Sequence, residues 1–232
     1  MEDNKTRDMI GKNGEALVAQ LLTSLLKDGE KLLNDVVLKH RDSLHQIDHI
    51  LLKKNGLFCV ETKSTSGEIY GRFSDPTWTI YSRYTRKVTK IMNPMRQNSS
   101  HICAIKSVIG EKYHIESVLV FPRATLKVLG YGILAFEELA AYINDNNIYP
   151  EYESQELAWI YHKLTENNLR GKVSRSKIIE SSKNYIDGIK KSMKCPRCGA
   201  DLVIKNGARE RFYSCSRYPK CSFAMDYYEG EK

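Results

Sequence analysis

The sequence predicts an α/β protein with a mixed β-sheet flanked by helices and a small cysteine-rich module near its C-terminal end. Two observations predict the body: residues 14–26 carry apolar side chains at helical spacing, and three short β-rich runs follow. The third observation is a cluster of four cysteines between residues 195 and 221. We expect a first domain over 1–130, its helical completion over 131–170, a basic, partly helical linker over 171–193 and the cysteine module over 194–226.

The composition excludes an intrinsically disordered chain and a membrane-spanning protein. Hydrophobic residues make up 41% of the 232 residues and charged residues 28%, an ordinary globular balance. The longest apolar runs are far shorter than the roughly 18 residues that a membrane span requires. Because residues 1–8 are charged and lack the apolar core of a signal peptide, we expect a soluble cytoplasmic protein without a membrane partner.

Positive charge is concentrated in the last quarter of the chain. The residues up to Arg170 include 22 basic and 21 acidic side chains, whereas the remainder includes 14 basic and 7 acidic. A basic end on a nearly neutral body favours attachment to a polyanion, and nucleic acid is the commonest one. A solubilising tail is the alternative interpretation.

The four clustered cysteines have the spacing of a zinc site. Cys195 and Cys198 form a CxxC knuckle, sixteen residues separate it from Cys215, and Cys221 follows after five more. Four thiolates in one short segment complete a tetrahedral Zn²⁺ site, whereas two disulfides would need an oxidising compartment. We predict that Zn²⁺ supplies the folding free energy here, since a segment of about 40 residues buries too little surface alone.

Aromatic and basic side chains are interleaved around these cysteines. This mixture is typical of surfaces that stack bases and neutralise phosphates, although some of the aromatics could instead only cover the metal site. The predicted nucleic-acid contacts are Arg211, Phe212, Tyr213, Arg217, Tyr218, Lys220 and Phe223, and Lys205 and Arg209 belong to the same basic set.

The cysteine module resembles the four-cysteine zinc finger at the C-terminus of bacterial type I DNA topoisomerases. The CPxCG motif, the phenylalanine before the third cysteine and the YPxC motif all match within CPRCGADLVIKNGARERFYSCSRYPKCSF. The resemblance covers about residues 193–225. It implies binding to DNA, largely single-stranded, and does not imply topoisomerase chemistry.

A hairpin in the body brings charged residues together. Asn55-Gly56 is a strong hairpin signal between the runs 45–53 and 57–63. A two-residue loop would place Asp48 opposite Lys63, and a four-residue loop would place it opposite Glu61. In either register Asp48, Glu61 and Lys63 share one face, because side chains alternate with period two. A divalent cation between the carboxylates and an ordinary surface ion pair are the two alternatives.

More residues resolve this choice. Ordered motifs follow one another over about 90 residues, namely GxxGE at 11–15, NDVVL, QIDH at 46–49, ETK at 61–63, GEIYG at 67–71, Trp78 and NPxxQ at 93–97. With these motifs the chain resembles the NERD (nuclease-related) domain, a relative of the PD-(D/E)xK nucleases and their restriction-endonuclease-like fold. Ile47 stands where the motif name has proline.

The resemblance implies a Mg²⁺ or Mn²⁺ site and a role for each matching residue. Asp48 and Glu61 would bind the metal with help from the Thr62 carbonyl, and Lys63 would handle the nucleophilic water. Glu15 matches a helical glutamate near the metal, and Gln97 matches a helical glutamine beside the site.

The remaining segments yield three further expectations. His49 should point to the opposite face of its strand and be a packing or hydrogen-bonding residue rather than a ligand. His101 could approach the site from the helix after Gln97, but a solvated histidine is the favoured interpretation. The stretch 79–90 mixes tyrosines with four basic residues, so it either contacts backbone phosphates or is a plain exposed strand. Helices are expected over 98–109, 136–143 and 154–164, and strands over 115–121 and 132–136.

Together these features predict a metal-dependent DNA endonuclease that a zinc finger tethers to its substrate. One alternative is a catalytically silent DNA-binding or recruitment protein on a nuclease-like scaffold. The other is a nuclease that acts on RNA, because aromatic and basic surfaces stack the bases of either polymer. Single-stranded and branched DNA both stay open as substrates, as does a homodimer.

Overall fold

The computed structural model describes residues 4–73, 75, 77–128, 130–145, 151–207, 211–221 and 223–227. Its helices are α1 (Asn4–Ser24), α2 (Pro94–Ile109), α3 (Leu139–Asn144), α4 (Ser154–Glu166) and α5 (Arg175–Ser192). Its strands are β1 (Lys31–His40), β2 (Ser43–Lys53), β3 (Gly56–Thr62), β4 (Gly67–Tyr70), β5 (Thr77–Tyr81), β6 (Val88–Met92), β7 (Glu116–Phe121), β8 (Ala124–Leu126), β9 (Ile133–Ala135), β10 (Leu202–Asn206), β11 (Arg211–Cys215) and β12 (Ala224–Asp226). None of the described helices is long and apolar enough to cross a membrane.

A five-stranded sheet of order β1-β2-β3-β7-β9 forms the centre of the body. β1, β2 and β3 pair antiparallel, whereas β7 and β9 add in parallel. α2 and α4 cover one face, where Ile105 and Leu157 are buried. α1 and α3 cover the other face through Leu22 and Ile143. The predicted mixed sheet flanked by helices is therefore confirmed.

The β2–β3 turn differs from the turn that the sequence suggested. Lys53 pairs with Gly56, so the two turn residues are Lys54 and Asn55, and Gly56 already belongs to β3. Neither Asn55 nor Gly56 adopts the positive φ on which the Asn-Gly signal rests. The Asn55 amide instead donates to the Ile143 carbonyl at 2.8 Å. The pairing register is the one that aligns Asp48 with Glu61.

A second sheet of order β6-β5-β4-β8 adjoins the first, and its packing centres on Trp78. This side chain is fully buried, and its indole N–H donates to the Arg72 carbonyl at 3.0 Å. A Cβ at Gly71 would lie 2.3 Å from the Trp78 ring, so only glycine fits there. The glycine and tryptophan of the sequence motif therefore serve one packing contact.

Helix α5 occupies most of the segment that the sequence suggested as a linker over 171–193. Its Ile178 packs with Val37 and Leu44 of β1 and β2, and the Ser181 hydroxyl accepts a hydrogen bond from the Leu44 N–H at 3.0 Å. Near its other end, Ile189 is buried against the cysteine module. The segment is thus helical, as expected, but it packs on both neighbours, which the sequence did not predict.

Candidate active site and zinc ribbon

The sequence-predicted site residues converge where β3 ends. β3 supplies Glu61 and Thr62, and the Lys63 N–H extends the pairing with β7 by donating to the Val120 carbonyl at 2.8 Å. β2 supplies Asp48, which the antiparallel register brings level with Glu61. The first turn of α2 supplies Gln97, and α1 supplies Glu15. Four elements that are distant in sequence therefore build one site.

The Lys63 ammonium joins β3 to α2. Its Nζ donates to Glu61 Oε1 at 2.5 Å and to Gln97 Oε1 at 2.9 Å. The Lys63 side chain is 26% exposed, whereas that of Glu61 is 3% exposed. Lys63 therefore stands at the solvent boundary of the site, where water can reach it, and Gln97 holds its end in position.

The second oxygen of Glu61 faces His101. His101 Nδ1 lies 3.3 Å from Glu61 Oε2, but neither atom has an aligned hydrogen bond among the described residues, and both are buried. The expectation that His101 is solvated was wrong, since its residue is only 5% exposed. The signal was present in the sequence, because positions 97 and 101 are four apart and share one face of a helix.

Two carboxylates are held close together in a buried setting. Asp48 Oδ2 accepts a hydrogen bond from the Thr62 N–H at 2.8 Å. Burial, and next the charge of Glu61, raise the pKa of Asp48 well above its usual value. Burial alone would also raise the pKa of Glu61, but Lys63 and His101 more than offset it, so that pKa is lowered. The site therefore has an excess of negative charge that a cation would relieve.

A third carboxylate, Asp35, was not singled out from the sequence. It adopts a left-handed backbone conformation with φ of 53°, and the β1–β2 pairing has no rung between Asn34–His49 and Val36–Ile47. This gap falls opposite Asp48. Asp is one of the few residues that tolerate this conformation, and strained backbone is frequent at functional sites.

Two side chains hold the Asp35 carboxylate, and the charge of Asp35 affects the pKa of a fourth acidic group, Glu15. Gln46 Nε2 donates to its Oδ1 at 2.8 Å, and Arg170 lies 2.5 Å from its Oδ2. Burial, then Asp35 and then Glu61 raise the pKa of Glu15. Glu15 therefore lies within electrostatic range of the site, as the sequence motif suggested. Glu15 also lies within electrostatic range of Asp35, the position of β1 where the pairing with β2 is interrupted.

Gly14 allows α1 to approach the site. A Cβ at Gly14 would lie 1.8 Å from the Ser64 hydroxyl oxygen, directly after Lys63. The same hydroxyl donates to the Gly11 carbonyl at 3.3 Å. Because the helix can pass this close only without a side chain at position 14, the GxxGE motif brings Glu15 next to the end of β3.

His49 lies on the opposite side of β2 from Asp48, as strand parity predicted. Its Nδ1 lies 2.8 Å from Asn34 Oδ1, and its Nε2 lies 3.2 Å from the Thr62 hydroxyl. Burial lowers its pKa to about 4, so the imidazole is neutral near pH 7. A neutral imidazole can donate one of these bonds and accept the other, so His49 braces the strands that carry Asp48 and Glu61.

The four cysteine sulfurs have the geometry of a tetrahedral metal site. All four Sγ atoms lie within 4.8 Å of one another, with Cys195–Cys221 at 3.7 Å and Cys198–Cys215 at 3.4 Å. A zinc ion with bonds of about 2.3 Å would place its sulfurs about 3.8 Å apart, whereas a disulfide would need about 2.05 Å. The distances fit zinc and exclude disulfides.

The two knuckle thiols differ in acidity. Burial raises the pKa of Cys195 to about 12, whereas a hydrogen bond from the Ala200 N–H lowers that of Cys198 to about 7. Cys198 is therefore ready to bind a cation as thiolate near neutral pH. Cys195 has to lose a proton when the metal binds, which makes the affinity depend on pH.

The aromatic side chains of the module divide into two groups. Phe223 packs against the buried cysteines, so the interpretation as a cover of the metal site applies to it. Tyr218 is 60% exposed, with the Lys205 ammonium 5.1 Å from its ring centre. The Arg211 guanidinium lies 4.5 Å from the ring centre of Tyr227.

The other predicted contacts in the module are also accessible. Phe212 and Tyr213 are half-buried in β11, and Arg217 and Lys220 are exposed. Arg209 lies outside the described residues. The module therefore presents basic and aromatic groups together on its surface.

Comparison with known proteins assigns both parts of the chain. The model of the nuclease-related domain (NERD) matches residues 10–122, and that of the topoisomerase DNA-binding C4 zinc finger matches residues 192–227. An uncharacterized protein of Bacillus anthracis is 32% identical over 170 residues, which cover 70% of this chain and 78% of that protein. The chain belongs to the nuclease-related domain family. Both resemblances noted in the sequence are confirmed.

Parts of this NERD protein are similar to segments of DNA topoisomerases. DNA topoisomerase 1 of Pyrococcus horikoshii is 26% identical over 128 residues, covering 43% of this chain and 18% of that protein. DNA topoisomerase 1 of Methanocaldococcus jannaschii is 55% identical over 29 residues, covering 12% of this chain and 4% of that protein. The chain thus spans less than a fifth of these relatives. No solved structure matches it.

The NERD site fits a hard divalent cation. It offers the buried carboxylate of Glu61 and the half-buried carboxylate of Asp48, and Glu61 Oε2 is a buried acceptor without a hydrogen-bond partner among the described residues. Within these residues, three or more His, Cys, Asp or Glu ligand atoms converge only at the four cysteines. A site with two carboxylates is typical of Mg²⁺, which keeps several waters and takes further oxygens from substrate phosphates.

Proposed function

We propose that this NERD protein is a Mg²⁺-dependent endonuclease that hydrolyses phosphodiester bonds of DNA and is held on its substrate by the zinc ribbon. The observation that carries the proposal is the convergence of Asp48, Glu61 and Lys63 at the end of β3, with Gln97 bound to the lysine. A cytoplasmic location is part of the proposal, because four cysteine ligands require a reducing compartment.

In this proposal Asp48 and Glu61 hold the cation, with the Thr62 carbonyl as a third ligand. The bound Mg²⁺ would stabilise the negative charge that develops on the phosphate and lower the pKa of a bound water. Thr62 also fixes Asp48 through its backbone N–H. This hydrogen bond occupies Oδ2 and orients the carboxylate.

Lys63 orients the attacking water with its ammonium group and delivers a proton from its Nζ. Its contact with Gln97 keeps it at the site when the charge of Glu61 is shared with a cation. Glu15 adds a partly buried carboxyl with a raised pKa at the edge of the site, where it can exchange protons with solvent.

The zinc ribbon supports DNA as the substrate. Its family is described as a DNA-binding C4 zinc finger, and the similar proteins include DNA topoisomerases. Exposed Tyr218 and its basic neighbours are suited to stack bases and bind phosphates, which favours single-stranded or branched DNA.

A catalytically silent DNA-binding protein is a second candidate, and one observation favours it. Lys63 already pairs with Glu61 Oε1, and His101 lies beside Oε2. The buried charge of Glu61 is thus balanced by the protein's own groups, and a cation would have to compete with Lys63 for this carboxylate.

A cleavage assay separates the two candidates. Labelled duplex, single-stranded and branched DNA, with matched RNA strands, is incubated with Mg²⁺ or Mn²⁺ and the wild type, Asp48→Ala or Asp28→Ala. Asp28 is an exposed carboxylate in the turn before β1, which makes it the matched control. We expect cleavage of DNA that only Asp48→Ala abolishes. Retained DNA binding without cleavage of any substrate would instead establish the silent scaffold.

A further inference from the structure

The β5–β6 hairpin is a second basic surface, separate from the zinc ribbon. Between Asp75 and Glu111 the chain contains no acidic residue, but it contains six basic ones. Three of these six lie in the connection between β5 and β6, which spans residues 82–87, and a fourth, Lys90, lies in β6. Such a one-sided distribution of charge over 35 residues is unusual for a body whose overall charge is close to neutral.

The tip of this hairpin projects into solvent but is ordered. Tyr84 is 98% exposed, and every residue from 83 to 90 is exposed. The Ser82 N–H donates to the Lys87 carbonyl at 2.9 Å, and the Ser82 hydroxyl accepts from the Thr85 N–H at 3.2 Å. Arg86 closes the turn in a left-handed conformation with φ of 54°. The tip therefore presents its side chains in a fixed arrangement.

Contacts tie both stems of the hairpin to the candidate active site. At the tip, the Arg83 guanidinium pairs with Glu68 of β4, and β4 begins four residues after Lys63. At the other end, β6 leads through Asn93 into α2, whose Gln97 contacts Lys63. Both strands of the hairpin are therefore joined to segments that carry residues of the candidate site.

An alternative explanation for the lysines is protection of an edge strand. β6 is at the edge of its sheet, and lysines on edge strands prevent pairing with other chains. This explanation does not cover the tip, because Tyr84 and Arg86 lie beyond the last rung, Tyr81–Val88. An exposed aromatic ring next to guanidinium and ammonium groups is suited to nucleic acid.

We propose that the β5–β6 hairpin binds the phosphate backbone of the DNA substrate beside the active site, with Arg86 and Lys87 contacting phosphates and Tyr84 contacting bases. A two-stranded β-ribbon fits the major groove of duplex DNA, and contacts with phosphates position the duplex without reading its sequence. The proposal rests on the proposed function, because it assigns the hairpin to the same substrate.

Binding measured without cleavage tests the hairpin by itself. The zinc-loaded 232-residue chain is titrated against fluorescent duplex and single-stranded DNA over a series of KCl concentrations, without added Mg²⁺ or Mn²⁺. The variants are Arg86→Ala/Lys87→Ala and the control Lys27→Ala/Lys31→Ala. The control removes two exposed charges near the β2–β3 turn, since Lys31 pairs with Leu52.

We expect the hairpin variant to bind duplex DNA more weakly and to show a shallower salt dependence. The slope of log K against log[KCl] is negative, and its magnitude should decrease by about 0.9 for each duplex phosphate that the variant no longer binds and by about 0.7 for each phosphate of a single strand. Lys87→Glu should weaken binding further. Tyr84→Ala should weaken binding to single strands by about tenfold. Zinc content and circular dichroism check that each variant is folded.

The possible results distinguish this proposal from the proposed function. Equal slopes for the hairpin variant and the control would overturn the role of the hairpin, even if the protein cleaves DNA. Weaker binding in the hairpin variant alone supports that role, even if no condition yields cleavage. In a protein that does cleave, the hairpin variant should raise KM and leave kcat nearly unchanged, because it lacks only binding groups.

Discussion

The NERD body and the zinc ribbon both provide groups for a metal, but they relate to it in opposite ways. The body has three buried apolar clusters, and its candidate site lies at the end of a sheet that these clusters already stabilise. Among the described residues, the buried members of the ribbon's cluster are Ile189, Cys195, Leu202 and Cys215. Two of these are metal ligands, and Ile189 comes from α5. In the ribbon the metal completes the fold, whereas in the body the fold creates the place for a metal.

This difference also determines how the ligands are distributed along the chain. The four cysteines lie within 27 residues, because short knuckles can collect them without a core. The residues of the candidate active site come from α1, β2, β3 and α2 and span positions 15–101. Only a sheet with packed helices holds such distant positions together. Metal removal should therefore unfold one region and spare the other.

The largest expected effect is the unfolding of the ribbon when one cysteine is replaced. Cys198→Ser removes a zinc ligand, and the metal contributes folding free energy on the order of 10 kcal/mol to such a module. We expect the variant to lose its zinc and the ordered signals of residues 194–226. The sheet of the body should stay intact, as measured by zinc content and by NMR.

The matched control for this prediction is Cys103→Ser, because Cys103 is a half-buried cysteine of α2 outside the ribbon. This variant should keep one zinc ion per chain. If Cys198→Ser retained its zinc and the ribbon signals, the four-cysteine site would be misassigned. If it unfolded the body as well, the two regions would be one cooperative unit through α5.

A smaller effect is expected when the active-site lysine is removed. Lys63→Ala takes away the group that we propose to handle the water but leaves both carboxylates in place. General acid–base groups contribute about 10²- to 10⁴-fold, so kcat should fall by this factor while DNA affinity changes little. Single-turnover cleavage and binding to the same labelled DNA would measure the two quantities separately.

Lys54→Ala is the control for the lysine prediction. Lys54 lies in the β2–β3 turn at the far end of these strands, where its backbone N–H donates to Glu30 and its carbonyl accepts from the Tyr152 N–H. Alanine keeps both of these backbone hydrogen bonds, so the substitution should leave cleavage unchanged. Unchanged cleavage in Lys63→Ala would instead remove Lys63 from the mechanism and leave it as an ion-pair partner of Glu61.

The sequence predicted the features that follow from local pattern. The periodicity of apolar residues placed most of the predicted helices and strands within a few residues, although α1 begins at Asn4, ten residues before the predicted start, and the cysteine spacing placed the zinc ligands. Strand parity placed Asp48, Glu61 and Lys63 on one face, and the structure brings these three together with Gln97 and Glu15. Their roles in catalysis stay predictions.

The features that the sequence did not predict depend on contacts between distant segments. His101 is buried because α2 lies against the sheet beside Glu61; its four-residue spacing from Gln97 puts both on one helix face, but spacing alone does not show that this face is buried. The left-handed Asp35 depends on Gln46 and on Arg170, which is 135 positions away in the chain. The turn at Lys54 and Asn55 is set in the same way by a carbonyl of α3.

The smallest expected effect concerns stability and follows from the buried carboxylate. Burial and Glu61 raise the pKa of Asp48 in the folded body above its unfolded value of about 4. A raised pKa contributes stability that is fully present below the unfolded value and is lost as the pH rises through the folded value. Without a divalent cation, Asp48 therefore lowers the stability of the body near neutral pH relative to its stability at low pH.

Asp48→Asn should remove this cost while it abolishes cleavage. The amide oxygen can still accept the hydrogen bond from the Thr62 N–H, so the local geometry is kept. We expect the variant to be more stable than the wild type by on the order of 1 kcal/mol near neutral pH, with no gain at pH 4. Urea unfolding followed by tryptophan fluorescence measures this, since Trp78 and Trp159 both lie in the body.

Added Mg²⁺ should reverse this difference. A cation that binds the folded state stabilises it by mass action, so the wild type should gain stability with Mg²⁺ concentration and Asp48→Asn should gain much less. An exposed carboxylate changed in the same way, Asp28→Asn, should leave both the pH dependence and the Mg²⁺ response unchanged. If, without metal, the free energy of unfolding of the wild type is at least as large as that of Asp48→Asn, then Asp48 does not destabilise the body. The contrast with the ribbon would then lose its energetic basis, because the body would not need a metal to balance the charge of its candidate site.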